Sequence, residues 1–337
     1  MKITTPFFLI LIFFLGCTNN EGPDVSKIKV DIPIERFDKN FFALDTNNIA
    51  TGLKELMQSH PNFYTDFMQQ ILGVSGSDTN KVTQDVSKVF IRGYSLMYQS
   101  LSKQYNDVNW LQKDIQRAFQ YVKYYFPDYK TSKIILFMGP LDAPGVALTR
   151  SGIAVGLHQF GGKDFTAYQS MEAQQLFPGY ISRRFEPQYI VANCMKVVIE
   201  DIYPDRSGTK GLVEQMIEKG KQWWLLDKFL PATPDSLRTG FTKQQLNWCE
   251  ANEGMIWNDI ITTQKDLYTK DPMATQNYIG EAPYTQSLGP SSPGNIGQWI
   301  GWQIVKKFTD KNSSMSVSDV LKTDARKILE EAKYKPK

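Results

Sequence analysis

Between Arg183 and Pro204 the chain reads RRFEPQYIVANCMKVVIEDIYP. From Tyr189 to Ile202 apolar residues fall on nearly every face of a 3.6-residue helix, and a helix that is apolar all round has to be buried. Pro187 suits the first helical position, where a missing N–H costs nothing. Pro204 cannot continue the helix. The polar residues are few, and Asn193, Lys196 and Glu200 fall at i, i+3 and i+7, so they share one stripe. Glu200 is also spaced to pair with Lys196 in a weak i,i+4 contact. The remainder of the chain must therefore supply cover for a core helix spanning Pro187–Ile202.

The cover is ample. With 337 residues, 42% of them hydrophobic and 22% charged, the chain has the composition of a globular protein. A net charge of +3 gives no electrostatic footprint for nucleic acid. Aromatic residues make up 13% and supply large core side chains, with sugar or peptide stacking as the functional alternative.

The N-terminus has a different character. Lys2 and the apolar run Pro6–Leu15 form a targeting segment over residues 1–16, too short to span a membrane. It ends in Phe14-Leu15-Gly16-Cys17, which resembles a lipobox, although Phe14 replaces the usual aliphatic residue. Lipidation at Cys17 would attach acyl chains such as palmitate, each buried CH₂ contributing about 0.8 kcal/mol to membrane attachment. Residues 17–27 then read as a polar tether, and residues 28–337 as a single large domain.

Period-two residues in Lys29–Asp38 indicate a strand, made an edge strand by Pro33. Asn47–Gln104 reads as helical with a break at His60 and Pro61, because proline disfavours helix in the preceding residue. Helices are predicted over Val82–Leu101 and Val108–Phe126, and a buried strand over Ile134–Met138. Val146–Leu148 and Ile153–Phe160 flank the turn residues 149–152 as a hairpin. The second strand would put Ala154, Gly156, His158 and Phe160 on one face, leaving room for a ligand or backbone beside His158. Further helices are expected over Gly208–Phe229, Thr242–Leu267, Asn295–Phe308 and Asp319–Ala332, with Asn295 as an N-cap. Asp271–Pro293, rich in Pro, Gly and Tyr, reads as a lid or binding excursion.

Familiar catalytic patterns are missing. The chain has two histidines, and neither His60 nor His158 belongs to an H-E-x-x-H zinc motif. There is no C-x-x-C pair and no G-x-S-x-G elbow, and Gly289–Gly297 lacks the Lys and Ser/Thr of a phosphate loop. Pairing of Cys194 with Cys249 stays open, since spacing does not decide it. Carboxylate pairs for glycan cleavage also stay open, because separation is invisible in sequence.

Three ordered stretches, VDIPIERFDKNFF, PGYISRRFEPQYIVANCMKVVIEDIYP and SSPGNIGQWIGWQIVKKF, together with the lipobox, resemble the gliding-motility lipoprotein GldB family. The resemblance runs from the lipobox to about Lys307. It implies a cell-envelope lipoprotein, membrane-anchored and most simply facing the periplasm. The implied role is that of an accessory or structural component of gliding motility and type IX secretion, with other envelope proteins of that machinery as partners. The family is distantly similar to zinc peptidases. That similarity implies an α+β fold, mostly helical with a small mixed sheet, and a zincin-like, metallopeptidase-like architecture without the metal motif. It would put Asn193 and Val197 where two His stand and Cys194 where the Glu stands. The implied reading is a pseudo-peptidase with no catalytic residues, metal or cofactor. Ile153–Phe160 would be the edge strand of a surviving groove, with His158, Arg183, Arg184, Glu200, Trp299 and Trp302 at its rim or floor. A core role for both tryptophans is the alternative. An active envelope hydrolase using carboxylates or His158, and a glycan- or peptide-binding lipoprotein, are the rival functions.

Overall fold

A computed structural model describes residues 22–76, 80–130, 133–264 and 266–337. The targeting segment and Cys17 lie outside these residues. The architecture is α+β and mostly helical, with one small mixed sheet. Among the described residues no helix is long and apolar enough to cross a membrane.

The sheet holds four strands: β1 (Ile34–Arg36), β2 (Lys133–Phe137), β3 (Val146–Thr149) and β4 (Gly152–Gly156). Their order is β1-β2-β4-β3; β1, β2 and β4 run parallel, and β3 is antiparallel to β4. Helices α1 (Phe37–Phe42), α2 (Ile49–Ser59), α3 (Pro61–Gln70), α4 (Lys81–Gln104) and α5 (Asn109–Tyr125) connect β1 to β2. His60 ends α2 and precedes Pro61 at the start of α3, so the break falls where proline requires it. Asn80 caps α4 by accepting the Thr83 N–H.

The sheet is covered on both faces. Ile134, Leu136, Ile153 and Val155 enter one hydrophobic core; Ile135, Phe137 and Ala154 enter another with Phe37, Phe41 and Phe67. This alternation is the two-residue period of a strand. The first core is built around α8 (Ile190–Ile202), entered through a 3₁₀ turn at Pro187–Tyr189, after the short α6 (Met171–Leu176) and α7 (Gly179–Ser182). The helix packs against α5, β3, β4 and α9 (Leu212–Phe229). Ile190, Cys194, Met195 and Val198 are fully buried, as an all-round apolar helix requires.

After α10 (Asp235–Thr239), α11 (Lys243–Ala251), α12 (Glu253–Thr263) and α13 (Pro272–Tyr278), a third core forms between α9 and α14 (Ile296–Lys311), closed by α15 (Val317–Lys322) and α16 (Ala325–Ala332). The two long helices touch backbone to backbone. A Cβ on Gly220 would lie 2.1 Å from the Gly301 carbonyl carbon, and one on Gly301 1.7 Å from the Met216 carbonyl oxygen. The Ile296, Ile300, Ile304 and Phe308 stripe is fully buried there. Beside it, the buried Lys221 ammonium donates to the Leu321 and Thr323 carbonyls at 3.1 and 2.7 Å and pairs with Glu218, tying α15 to α9.

Several expectations are corrected. The first strand is three residues long. The second hairpin strand ends at Gly156, where the chain tightens into a 3₁₀ turn over Leu157–Gln159. It is also interior to the sheet; β3 forms the edge. The expected helix Thr242–Leu267 breaks at Asn252, where Gly254 lets the C-terminal Lys337 carbonyl approach. The Asp271–Pro293 excursion contains α13 and a 3₁₀ turn at Gln286–Leu288. The tail helix is two short helices. Asn295 does not cap α14 with its side chain; it sits at φ 46° in the left-handed region, which Asn tolerates.

The glycine crossing gives a direct test. Gly301→Ala should lower unfolding stability by about 3 kcal/mol, because the helices must separate and neither backbone can yield. Gly93→Ala, with open space around it, should not destabilise. Urea unfolding of the two variants checks this.

Candidate functional site

One side of α8 and of the 3₁₀ turn leading into it borders an open groove. Tyr189, Asn193, Lys196 and Val197 fall at i, i+4, i+7 and i+8 and form the floor of a groove of about 320 Å³. Gly145, Val146 and Gln159 line one wall; Arg184, Phe185 and Gly240 line the other. The first wall is the start of β3 and the turn after β4. The groove therefore lies between α8 and the antiparallel edge of the sheet.

The cationic wall comes from the turn after α7. Arg183 donates to the Gly240 carbonyl at 2.9 Å and to Gln245 Oε1 at 3.3 Å. Arg184 pairs with Glu281 at 3.1 Å. Its stem passes over Gly240, whose φ of +79° and lack of a side chain make the passage possible. Lys196 has no hydrogen-bond or ion-pair partner among the described residues. Burial, and then the neighbouring Arg184 charge, push its ammonium down to about 8 against the opposing pull of Glu281. The Asn193 amide likewise takes no hydrogen bond among those residues. Polar heads without protein partners are what a binding groove offers a ligand.

Both imidazoles are engaged elsewhere. His158 is fully buried behind the groove wall. Its Nδ1 accepts the Gly139 N–H at 3.0 Å and its Nε2–H donates to the Ala143 carbonyl at 3.1 Å, pinning the loop between β2 and β3. Burial pushes it down to about 4, with the Ala143 bond and Asp142 opposing, so it is neutral at pH 7. His60 bridges Asn40 and Glu35, and Glu35 also accepts from Lys133.

The sequence candidates are thus only partly assembled. Arg184 lines the groove, Arg183 stands beside it, and His158 lies behind its wall with no opening to it. Glu200 is exposed at the end of α8, where it accepts the Asp205 N–H and the Gln222 amide at 2.9 Å each; it does not pair with Lys196. Trp299 and Trp302 are buried in the α9–α14 core, the latter donating to Asp227 at 2.6 Å. Asn193 and Val197 reach the groove, whereas Cys194 faces the core, and burial holds its thiol far above the ordinary range. Cys194 and Cys249 are free thiols in different cores. Lys196 is the residue sequence reasoning assigned otherwise, although its place on the Asn193 stripe was the available signal. Among the described residues no three His, Cys, Asp or Glu side chains converge as a metal site.

A larger hollow of about 920 Å³ opens beside the N-terminal end of α8, between Gly22–Asp24, Trp110, Tyr121 and Leu230–Thr233. Its charged groups are Asp24, Asp114 and Arg117, the last donating to the Tyr121 hydroxyl at 3.2 Å.

The chain matches a family model described as gliding motility protein GldB over residues 18–336. No curated protein and no solved structure matches it.

Two titrations follow. His158→Ala should cost about 2–4 kcal/mol, through an unpaired Gly139 N–H and a cavity. In the wild type, the neutral His158 contributes stability that is complete above pH 6.5 and lost as pH falls toward 4, about 3 kcal/mol in all; His158→Gln should lack that part of the acid sensitivity. For Lys196 the unfolded chain binds a proton between pH 8 and 10.5 that the folded chain releases, so stability rises with pH in that window. Lys196→Met should therefore be at least as stable as wild type at pH 7, its advantage shrinking by pH 10. Thermal melts across pH read both.

Proposed function

The chain belongs to the gliding-motility GldB family, and on that premise we propose that it is a non-catalytic lipoprotein of the cell envelope, anchored through lipid at Cys17. Its role is that of an accessory component of gliding and of the type IX secretion machinery. Its partners are other envelope proteins of that machinery, and the domain faces the periplasm. In this reading the α8–β3 groove is the remnant of a zincin-like, peptidase-like cleft that retains binding and lacks chemistry.

The observation that carries the reading is the groove floor. A zinc peptidase helix presents two imidazoles one turn apart toward the cleft. Here the positions one turn apart on the groove side are Asn193 and Val197. An amide and an isopropyl group do not replace two imidazoles as zinc ligands. Both histidines of the chain are already bonded to the fold, which removes the nearest substitutes. The Cys194 thiol faces the core and is held protonated, so it offers neither ligand nor nucleophile.

Two measurements test this. Added Zn²⁺ should leave both the melting temperature and peptide turnover unchanged. A zinc-dependent melting shift, reversed by chelator and lost on substitution within residues 190–202, would overturn the non-catalytic reading. Pull-down from the native envelope with the lipid retained should recover identified gliding or secretion components; recovery of the chain alone counts against the accessory role.

A further inference from the structure

The groove has a second feature besides its floor. Its β3 wall is a sheet edge whose outer side is unpaired among the described residues. Register fixes which backbone groups face outward. Gly145 accepts the Gly156 N–H at 2.8 Å, and Ala147 and Thr149 follow it at period two opposite Ala154 and Gly152. In an antiparallel ladder these residues turn N–H and C=O toward the partner strand, so Val146 and Leu148 turn theirs away from it. Natural edges of this kind are usually blunted by Lys, Pro or a bulge. The β3 sequence Val-Ala-Leu-Thr carries none of these, and Leu148 is 43% exposed.

Beside the start of this edge stands a cation with no partner. Arg183 is bonded to Gly240 and Gln245, and Arg184 shares Glu281. Glu281 is the carboxylate that acts on this cluster, and Arg184 already engages it. Lys196 therefore projects from α8 with no carboxylate at hydrogen-bond distance among the described residues. Arg183, Arg184 and Lys196 outnumber the nearby carboxylates Glu281 and Glu186, so the groove carries surplus positive charge that suits an anion. The free donors and acceptors of Val146 and Leu148 call for a strand.

We propose that an extended peptide pairs with the outer edge of β3 and that Lys196, flanked by Arg184, receives a carboxylate carried by that peptide. Main-chain bonds to Val146 and Leu148 give register without sequence demand, and the carboxylate contact selects acidic or chain-terminal segments. The assignment rests on the groove being a binding surface, as proposed above, and adds the class of ligand it takes.

Fluorescence anisotropy with the full chain in detergent tests it. The probe is a fluorescein-labelled hexapeptide of alternating threonine and valine, offered as the free acid, as the amide, and as an amide with one internal glutamate. The free acid or the glutamate-bearing amide should bind at least about tenfold more tightly than the neutral amide, the scale of one charge-assisted hydrogen bond. Which of the two binds better tells a chain end from an acidic side chain. Lys196→Met should bring all three to the neutral level without lowering the melting temperature. Leu148→Pro removes an outward N–H and no bond to β4, so it should fold and weaken all three alike. Equal binding of acidic and neutral probes, or a preference that survives Lys196→Met, overturns the carboxylate subsite while leaving the non-catalytic reading to the zinc test. Binding insensitive to Leu148→Pro, or no binding by any probe, overturns the edge-pairing proposal.

Discussion

The burial of α8 is the constraint on which the rest of the structure depends. A helix with apolar residues on nearly every face needs neighbours all round, and a four-stranded sheet covers only one side. The fold meets this with β3 and β4 on one side and α5 and α9 on the others. Asn193 and Lys196 are left half-buried, and with Tyr189 and Val197, which also join the core, they floor the groove. Site and core are therefore two faces of one packing solution. The polar residues of α8 stand where cover stops.

The second half of the molecule holds that solution in place. α9 contributes Leu225, Leu226 and Phe229 to the α8 core and Leu212, Met216 and Ile217 to the core it shares with α14. It can serve both because Gly220 and Gly301 let α14 approach at backbone distance. Lys221 is nearly as enclosed as the apolar residues around it, and it is tolerated because carbonyls and Glu218 satisfy its ammonium. Lys196 shows the opposite arrangement. It is half-buried on α8, no carboxylate among the described residues bonds to it, and the Arg184 charge outweighs the pull of Glu281. That contrast, between a lysine the fold satisfies and one it leaves unsatisfied, separates structural charge from charge available to a ligand.

The histidines follow the same logic. His158 tucks behind the wall because Gly156 leaves the space a Cβ would fill, 2.2 Å from the ring. The ring then satisfies a backbone donor and a backbone acceptor across the loop from Gly139 to Ala143. An imidazole held neutral between two main-chain groups orders a loop and is removed from acid–base exchange near pH 7. The groove it supports is thus shaped by a residue that does not enter it.

Much of this was legible in the sequence. The core helix and its proline boundaries, the break at His60 and Pro61, the buried strand and its hairpin, and the Ile296–Phe308 stripe all follow from local rules of period, proline and turn chemistry. The polar stripe of α8 was legible as well, and two of its three members face the groove. Partnership was not legible. Glu200 bonds to Asp205 and Gln222 because α8 ends and the chain folds back there, and Lys196 meets Arg184 across 12 positions of sequence. Trp299 and Trp302 were indistinguishable from groove residues until the glycine crossing buried them, and β3 rather than β4 became the edge only through the strand order. The sequence by itself determined which segments are helix or strand and which must be buried, because those properties depend on near neighbours and on the balance of apolar and polar side chains. The tertiary structure alone decided which charges are satisfied and which edge is free, because both depend on distances between segments remote in the chain.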